Sequence, residues 1–243
     1  MKKAFISILC LVFLLSACLL PVNYITVRGS GKVVSETRAV KGIDRVDLAT
    51  LGELLIIQGE EEELVVSAED NLLPHLKTTV QGSTLEIRTE ENVNIFPTRK
   101  VTYTLKVKNI SSLSVSSSGS IQMDKLVSQK MEIFISSSGD ILIDNLTASD
   151  LRVRISSSGN VILKGQVISQ DVRISSSGNY RAADLQSQSA YVNISSSGNA
   201  RIWVTGDLGV QLSSSGNVEF YGDPKVTSTS SSSGGVNLLG EHP

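Results

Sequence analysis

From about residue 110 onward, apolar and polar residues alternate in short blocks, and each pair of blocks is divided by Ser-Ser-Ser-Gly. The Gly of this corner stands at 119, 139, 159, 178, 198, 216 and 234, at intervals of 18 to 20 residues. Four places before it stand Val115, Ile135, Ile155, Ile174, Ile194 and Leu212; six before it stand Leu113, Ile133, Val153, Val172, Val192 and Val210. Two after it stand Ile121, Ile141, Val161, Tyr180, Ala200 and Val218; four after it stand Met123, Ile143, Leu163, Ala182, Ile202 and Phe220. The places between are mainly polar. Period-2 alternation on both sides of a corner predicts two half-buried strands per repeat. With no helical segment between them, the fold class is all-β: a right-handed parallel β-helix or β-solenoid with coils of 18 to 20 residues. Equivalent residues then stack as ladders about 4.8 Å apart, and seven corners span roughly 30 Å.

The corner has a physical reading of its own. Gly admits positive φ, or a bulge, without a Cβ clash. The next place holds Asn160, Asn179, Asn199 and Asn217, with Asp140 and Ser120 in the same column. Asn and Asp tolerate the left-handed region and bond nearby backbone. The Ser runs keep the corner narrow, and the array reads as structural.

Residues 31–108 read as less regular coils of the same sheet. Ile43, Val46 and Leu48 alternate, Leu54–Ile57 is a buried run, and Gln81-Gly82-Ser83-Thr84 forms the turn of a hairpin between Leu76–Val80 and Leu85–Arg88. Asp70–Leu76 reads as a short helix or loop. Glu60–Glu63 is a solvated turn, since consecutive carboxylates diverge and do not converge on a metal. At the far end Ser228–Ser233 lacks apolar alternation, so Val236–Leu239 is expected to cap the last coil.

The first residues change the picture of where the chain resides. Lys2 and Lys3 precede an apolar stretch that ends in Leu15-Ser16-Ala17-Cys18. A basic start and an apolar segment make an export signal. The last four residues resemble the bacterial lipoprotein signal, which predicts cleavage between Ala17 and Cys18 and lipid attachment at Cys18. Two acyl chains hold a protein stably on a membrane. The chain thus divides into a signal peptide (1–17), a lipidated tether (18–30), irregular N-terminal coils (31–108) and the regular repeats with a C-terminal cap (109–243). Cys10 leaves with the signal and Cys18 is capped, so no thiol remains for a disulfide.

Composition narrows the chemistry. Apolar residues are 40% and aromatics 5%, so the core is aliphatic. Lys plus Arg is 22 and Asp plus Glu is 24, a net charge of −2. This excludes general nucleic-acid binding. No metal or other cofactor is indicated. His75 and His242 read as surface residues, and none of the Ser residues has an attendant base. Asp124, Asp144 and Lys164 occupy successive rungs of one column, a spacing that suits a polysaccharide lyase or hydrolase and equally suits an exposed salt bridge. Trp203 faces outward between Ile202 and Val204, with Tyr221 one rung on and Arg201 and Arg181 two places before that column. Aromatic faces beside Arg donors make Trp203, Tyr221, Arg201 and Arg181 a candidate glycan-binding set. The alternative is that Trp203 packs beneath a loop or the terminal cap.

Gly29-Ser30-Gly31, Arg38-Ala39-Val40, Ile43-Asp44-Arg45-Val46, Asp70-Asn71-Leu72-Leu73 and Gly82-Ser83-Thr84-Leu85-Glu86-Ile87, with the serial corners, resemble the auto-transporter adhesin head GIN domain family over about residues 28–240. The resemblance implies a β-helix-like fold on exported bacterial proteins, often lipoproteins, and supplies no catalytic motif. The function expected is a lipid-anchored, extracytoplasmic, non-catalytic adhesion, binding or structural module of the bacterial envelope. Its expected partners are the membrane, through the anchor, and a glycan or envelope protein. The alternative expectation is a β-helix enzyme of the lyase or hydrolase class.

Overall fold

In the computed structural model, which describes residues 24–231 and 233–243, the repeats stack as parallel coils of a β-solenoid. A coil carries three pairing segments. Segment A leads into the Ser-Ser-Ser-Gly corner, segment B leaves it, and segment C joins B to the next A. The long strands β12 (Leu126–Ile135), β13 (Asp140–Ile155), β14 (Asn160–Ile174), β15 (Asn179–Ile194) and β16 (Asn199–Leu212) run through these segments and pair in parallel with their neighbours. Ile155 thus lies beside Ile135 and Ile174, and Ile141 beside Val161. Every residue of the four apolar columns is buried. Backbone pairing sets the register and the aliphatic ladders fill the interior.

The corner glycines do not have positive φ, contrary to the expectation from sequence. Close stacking requires them instead. The N–H of Asn179 donates to the carbonyl of Gly159 at 3.1 Å, which draws Gly178 against that same carbonyl. A Cβ on Gly178 would sit 2.8 Å from the Ser157 carbonyl and 2.9 Å from the Gly159 carbonyl. The following Asn residues bond each other along the stack rather than turning the chain.

The N-terminal half is not a simple continuation. Strands β3 (Arg45–Ala49) and β4 (Glu53–Gln58) form a coil around Gly52, and β10 (Ser112–Val115) and β11 (Ser120–Met123) pair with them in parallel. On the other side of β3 and β4 lie β7 (Thr84–Thr89) and β9 (Thr102–Val107), also parallel. The coil that comes third in space is therefore third in sequence only after a detour. That detour is antiparallel: β2 (Val33–Arg38) pairs with β5 (Glu63–Glu69), β5 with β9, and β6 (Leu76–Gln81) with β7 in the expected hairpin. Where β4 leaves the stack, the Gln58 amide stands in for a strand, accepting from the Val127 N–H at 2.8 Å and donating to its carbonyl at 3.0 Å. A separate two-stranded sheet pairs β1 (Ile25–Arg28) with β8 (Val93–Phe96).

Motif segments far apart in sequence meet at this end. Glu69 is wholly buried and receives the N–H of Gly31 (2.6 Å), the N–H and hydroxyl of Thr98 (2.8 and 2.5 Å) and the N–H of Arg99 (3.3 Å). Gly29 packs so close to that carboxylate that no side chain fits there. Ser30 donates to Asp70, and Asn71 accepts from the Ser30 N–H and donates to the Arg28 carbonyl. Arg38 binds the carbonyls of Leu73 and Leu76 around a short 3-10 turn.

The other end finishes in one more coil, with Val236–Gly240 laid over Asn217–Tyr221. Strands β17 (Asn217–Tyr221), β18 (Lys225–Ser230) and β19 (Val236–Gly240) add a further parallel coil, with β18 on β16 and β19 on β17. Ser228 and Ser230 replace the inward apolar residues, and all of β18 is exposed. Ladder pairing suffices to form this strand, while Val236 of β19 lies on Val218 and packs against the end of the core.

Candidate functional site

Trp203 is set by what lies beneath it. Tyr180 breaks the aliphatic column two after Gly; it is wholly buried, with the small Ala200 as its register partner and Ala182 two places along the same strand. Its hydroxyl donates to Gln170 Oε1 at 2.8 Å, Gln170 Nε2 donates to Ser187 Oγ at 2.7 Å, and Ser187 Oγ donates to the Trp203 carbonyl at 2.9 Å. Tyr180, Gln170 and Ser187 are all buried. Burial holds the Tyr180 hydroxyl far above its ordinary range, so it stays protonated and remains a donor. Nothing in the sequence marks Gln170 or Ser187; the one local signal is Tyr180 itself, a polar aromatic in an aliphatic column.

Of the candidate glycan-binding set, Trp203 and Tyr221 are register neighbours, as expected. The exposed face of Trp203, however, is covered by the chain itself. His242 stacks on it with ring centroids 3.9 Å apart and 14° between planes. His242 also meets Tyr221 edge-on at 5.6 Å and lies 3.6 Å from Asp184. His242 is therefore half-buried against Trp203 rather than a plain surface residue. The register slips between Ala182 and Gln186, so Trp203 pairs with Gln186 and Asp184 is pushed out toward the tail. Arg201 is held by Glu219 at 2.6 Å and 2.7 Å. Arg181 is exposed and has no ion pair among the described residues. Arg181 and Arg201 line an open depression of about 660 Å³ on segment B, with Lys164 and the Asn column.

The proposed catalytic column resolves into a salt bridge. Lys164 Nζ lies 3.0 Å from Asp144 Oδ1, with both side chains nearly half exposed. The hydrogen bond that Lys164 donates to Asp144, reinforced by the carboxylate charge, holds the Lys164 ammonium above its ordinary range. A lysine base must shed its proton near neutral pH, and this pairing works against that. No group of three metal-ligating side chains occurs among the described residues. No helix among them is long and apolar enough to cross a membrane.

A second surface was not visible from sequence. Outward residues of segment C form the column Val127, Thr147, Gln166, Gln186, Trp203. Beside it an open trough of about 420 Å³ is lined by Thr147, Gln166, Ile168, Gln186, Gln188 and Thr205 among others, and no charged side chain lines it. Ile168 is 53% exposed at its centre. Charges border it instead, at Asp144, Lys164 and Asp184 on one side and Lys130, Asp150 and Asp207 on the other.

These features define a class: a β-solenoid of stacked parallel coils with open depressions on its outer faces. The chain belongs to the family described as putative auto-transporter adhesin, head GIN domain, whose sequence pattern matches residues 43–224. Among solved structures, the chain is similar to a putative adhesin of Bacteroides fragilis (TM-score 0.83, 19% identity, 88% of this chain and 100% of the other). It is also similar to a Parabacteroides distasonis protein described as a putative lipid binding protein (TM-score 0.75, 24% identity, 88% and 100%). A putative adhesin of Parabacteroides merdae shares the fold (TM-score 0.72, 18% identity, 88% and 99%). None of the curated proteins matches the chain.

Proposed function

We propose that this protein is a lipid-anchored, extracytoplasmic, non-catalytic module that holds an uncharged glycan chain of the cell envelope in the segment C trough. The trough carries the reading. Its amides and hydroxyls offer donors and acceptors to sugar hydroxyls, Ile168 and Val127 offer apolar contact, and no charge lines it to favour an acidic polymer. Trp203, at the end of the Gln186 rung, adds an aromatic face once His242 moves aside. Arg181 and Arg201 then border the site rather than form it. The anchor rests on Leu15-Ser16-Ala17-Cys18, which lies outside the described residues.

Two arms test the proposal. Cells fed a labelled fatty-acid analogue should label the wild type and not Cys18→Ser; equal labelling of both, or none, contradicts the anchor. Purified protein should sediment with isolated envelopes and be displaced by an uncharged envelope polysaccharide. Displacement by acidic polysaccharides alone contradicts the assignment of the trough.

A further inference from the structure

An open groove of about 500 Å³ runs along the other side of the corner that bounds the trough. Ser149, Ile168 and Gln188 line the trough, and the residues that follow them, Asp150, Ser169 and Ser189, line the groove. Side chains at 168 and 188 stand between the two. In the next coil that wall is missing. Strand β16 bulges there, so that Thr205 and Gly206 stand opposite the single residue Gln188. A Cβ on Gly206 would sit 2.6 Å from the Gln188 carbonyl, so the position takes no side chain. Thr205 lines the trough and Asp207 lines the groove. Gly206, exposed and bare, opens a passage from one to the other.

Beyond the passage the groove holds an aromatic ring and a free carboxylate. Tyr191 is 41% exposed and leans over the next coil. Its ring edge takes the room that a Cβ on Gly209 would need, 3.0 Å away, and its hydroxyl donates to Gln211 Oε1 at 2.9 Å. Asn193 donates to the same oxygen at 2.9 Å, so the ring is held without being covered. Of the carboxylates in the groove, Asp150 accepts from Ser169 at 2.8 Å and Asp171 is paired with Arg173 at 3.4 Å. The Asp207 carboxylate has no partner among the described residues. A sugar ring packs its C–H face on an aromatic, and its hydroxyls donate to a carboxylate. Register neighbours Lys130, Asp150, Ser169, Ser189, Asp207 and Lys225 balance in charge, which suits an uncharged sugar. We infer that the glycan is a branched one: its main chain lies in the trough, and a side sugar crosses Gly206 to rest on Tyr191, with its hydroxyls on Asp207. The inference rests on the trough reading above, which supplies the main chain.

The test titrates pairs of uncharged oligosaccharides that share a main chain and differ only in side sugars: cellohexaose with and without xylose units, and mannohexaose with and without galactose units. The wild type should bind the substituted member of a pair about tenfold more tightly than the linear one. Tyr191→Ala and Asp207→Ala, both at exposed positions, should erase that preference and leave the affinity for the linear member unchanged. Tyr191→Phe should keep the preference, because the ring and not the hydroxyl carries the sugar. Equal affinity of the wild type for both members, or a preference that survives Tyr191→Ala, overturns the side site and leaves the trough reading standing. If no member of either pair binds, or if Ile168→Glu binds as the wild type does, the trough reading fails and the side site with it.

Discussion

Asn179 donates from its side-chain nitrogen to the side-chain oxygen of Asn160 across 3.0 Å, and this bond is one rung of a polarised ladder. Asn199 donates to Asn179 at 3.2 Å and Asn217 to Asn199 at 3.3 Å; Asn160 ends the run on Asp140 at 2.7 Å. All the donors point toward the N-terminal coils, so each amide uses its neighbour's acceptor and offers its own to the next. Asn179→Ala should cost about 1 kcal/mol. Asn179→Asp should cost more, because it sets a carboxylate against the Asn160 oxygen. Denaturant midpoints of the three proteins check the order.

The corner glycines give a second prediction. A Cβ on Gly159 would lie 2.5 Å from Ile135 Cγ2 and against the Gly139 carbonyl. Gly159→Ala should lower stability by about 1–3 kcal/mol, the usual cost of overpacking. Ser157→Ala, on the outer part of the same corner, should stay within about 0.5 kcal/mol of the wild type. Equal melting of the two variants would contradict close stacking as the reason for Gly.

Tyr180→Phe removes the hydroxyl that satisfies Gln170 Oε1. A buried acceptor left without a donor costs about 1–3 kcal/mol. The indole of Trp203 should report it as well, since the polar chain ends on its carbonyl. Unfolding followed by Trp emission and by backbone circular dichroism checks both effects.

How far the fold was legible depends on how local its causes are. The columns beginning at Val115, Leu113, Ile121 and Met123 repeat at one interval, and a period is visible without knowledge of contacts. The N-terminal detour is not periodic. β3 meets β10 across 67 residues, and β2 runs antiparallel to β5, so no spacing announces either. Glu69 escaped notice for the same reason: its partners Gly31 and Thr98 lie 38 and 29 residues away. Trp203 and Tyr221 were found because they share a column, whereas His242 reaches them from the end of the chain. Segment C was missed because its short runs, such as Gln166-Val167-Ile168, show their lack of charge only when stacked.

Acid should loosen the N-terminal end. Burial works to raise the Glu69 carboxyl, but the hydrogen bonds from Thr98, Gly31 and Arg99 outweigh it and hold it below its ordinary 4.5. A lowered folded value gives stability that is present above about 4.5 and is lost as pH falls through the folded value. The wild type should therefore lose stability below pH 4.5, and Glu69→Gln, already weaker at neutral pH, should decline less over that range. Unfolding midpoints between neutral and acid pH check the difference in slope.

The tail contact is separable from the fold. His242→Ala uncovers one face of Trp203 and touches no core residue, so stability should hold within about 0.5 kcal/mol. Acrylamide should quench Trp203 more strongly in the variant, because the stacked imidazole is gone. Unchanged quenching would mean that the stack does not persist in solution.

The most direct measurement of the account is a calorimetric titration of the wild type, Ile168→Glu and Asp144→Ala with uncharged and acidic envelope polysaccharides. The account predicts that the wild type and Asp144→Ala bind an uncharged polysaccharide equally. Ile168→Glu, which places a charge in the trough, should bind it at least about tenfold more weakly, a difference of about 1.4 kcal/mol. Binding confined to acidic polysaccharides, with unsaturated product released by the wild type and not by Asp144→Ala, would contradict it.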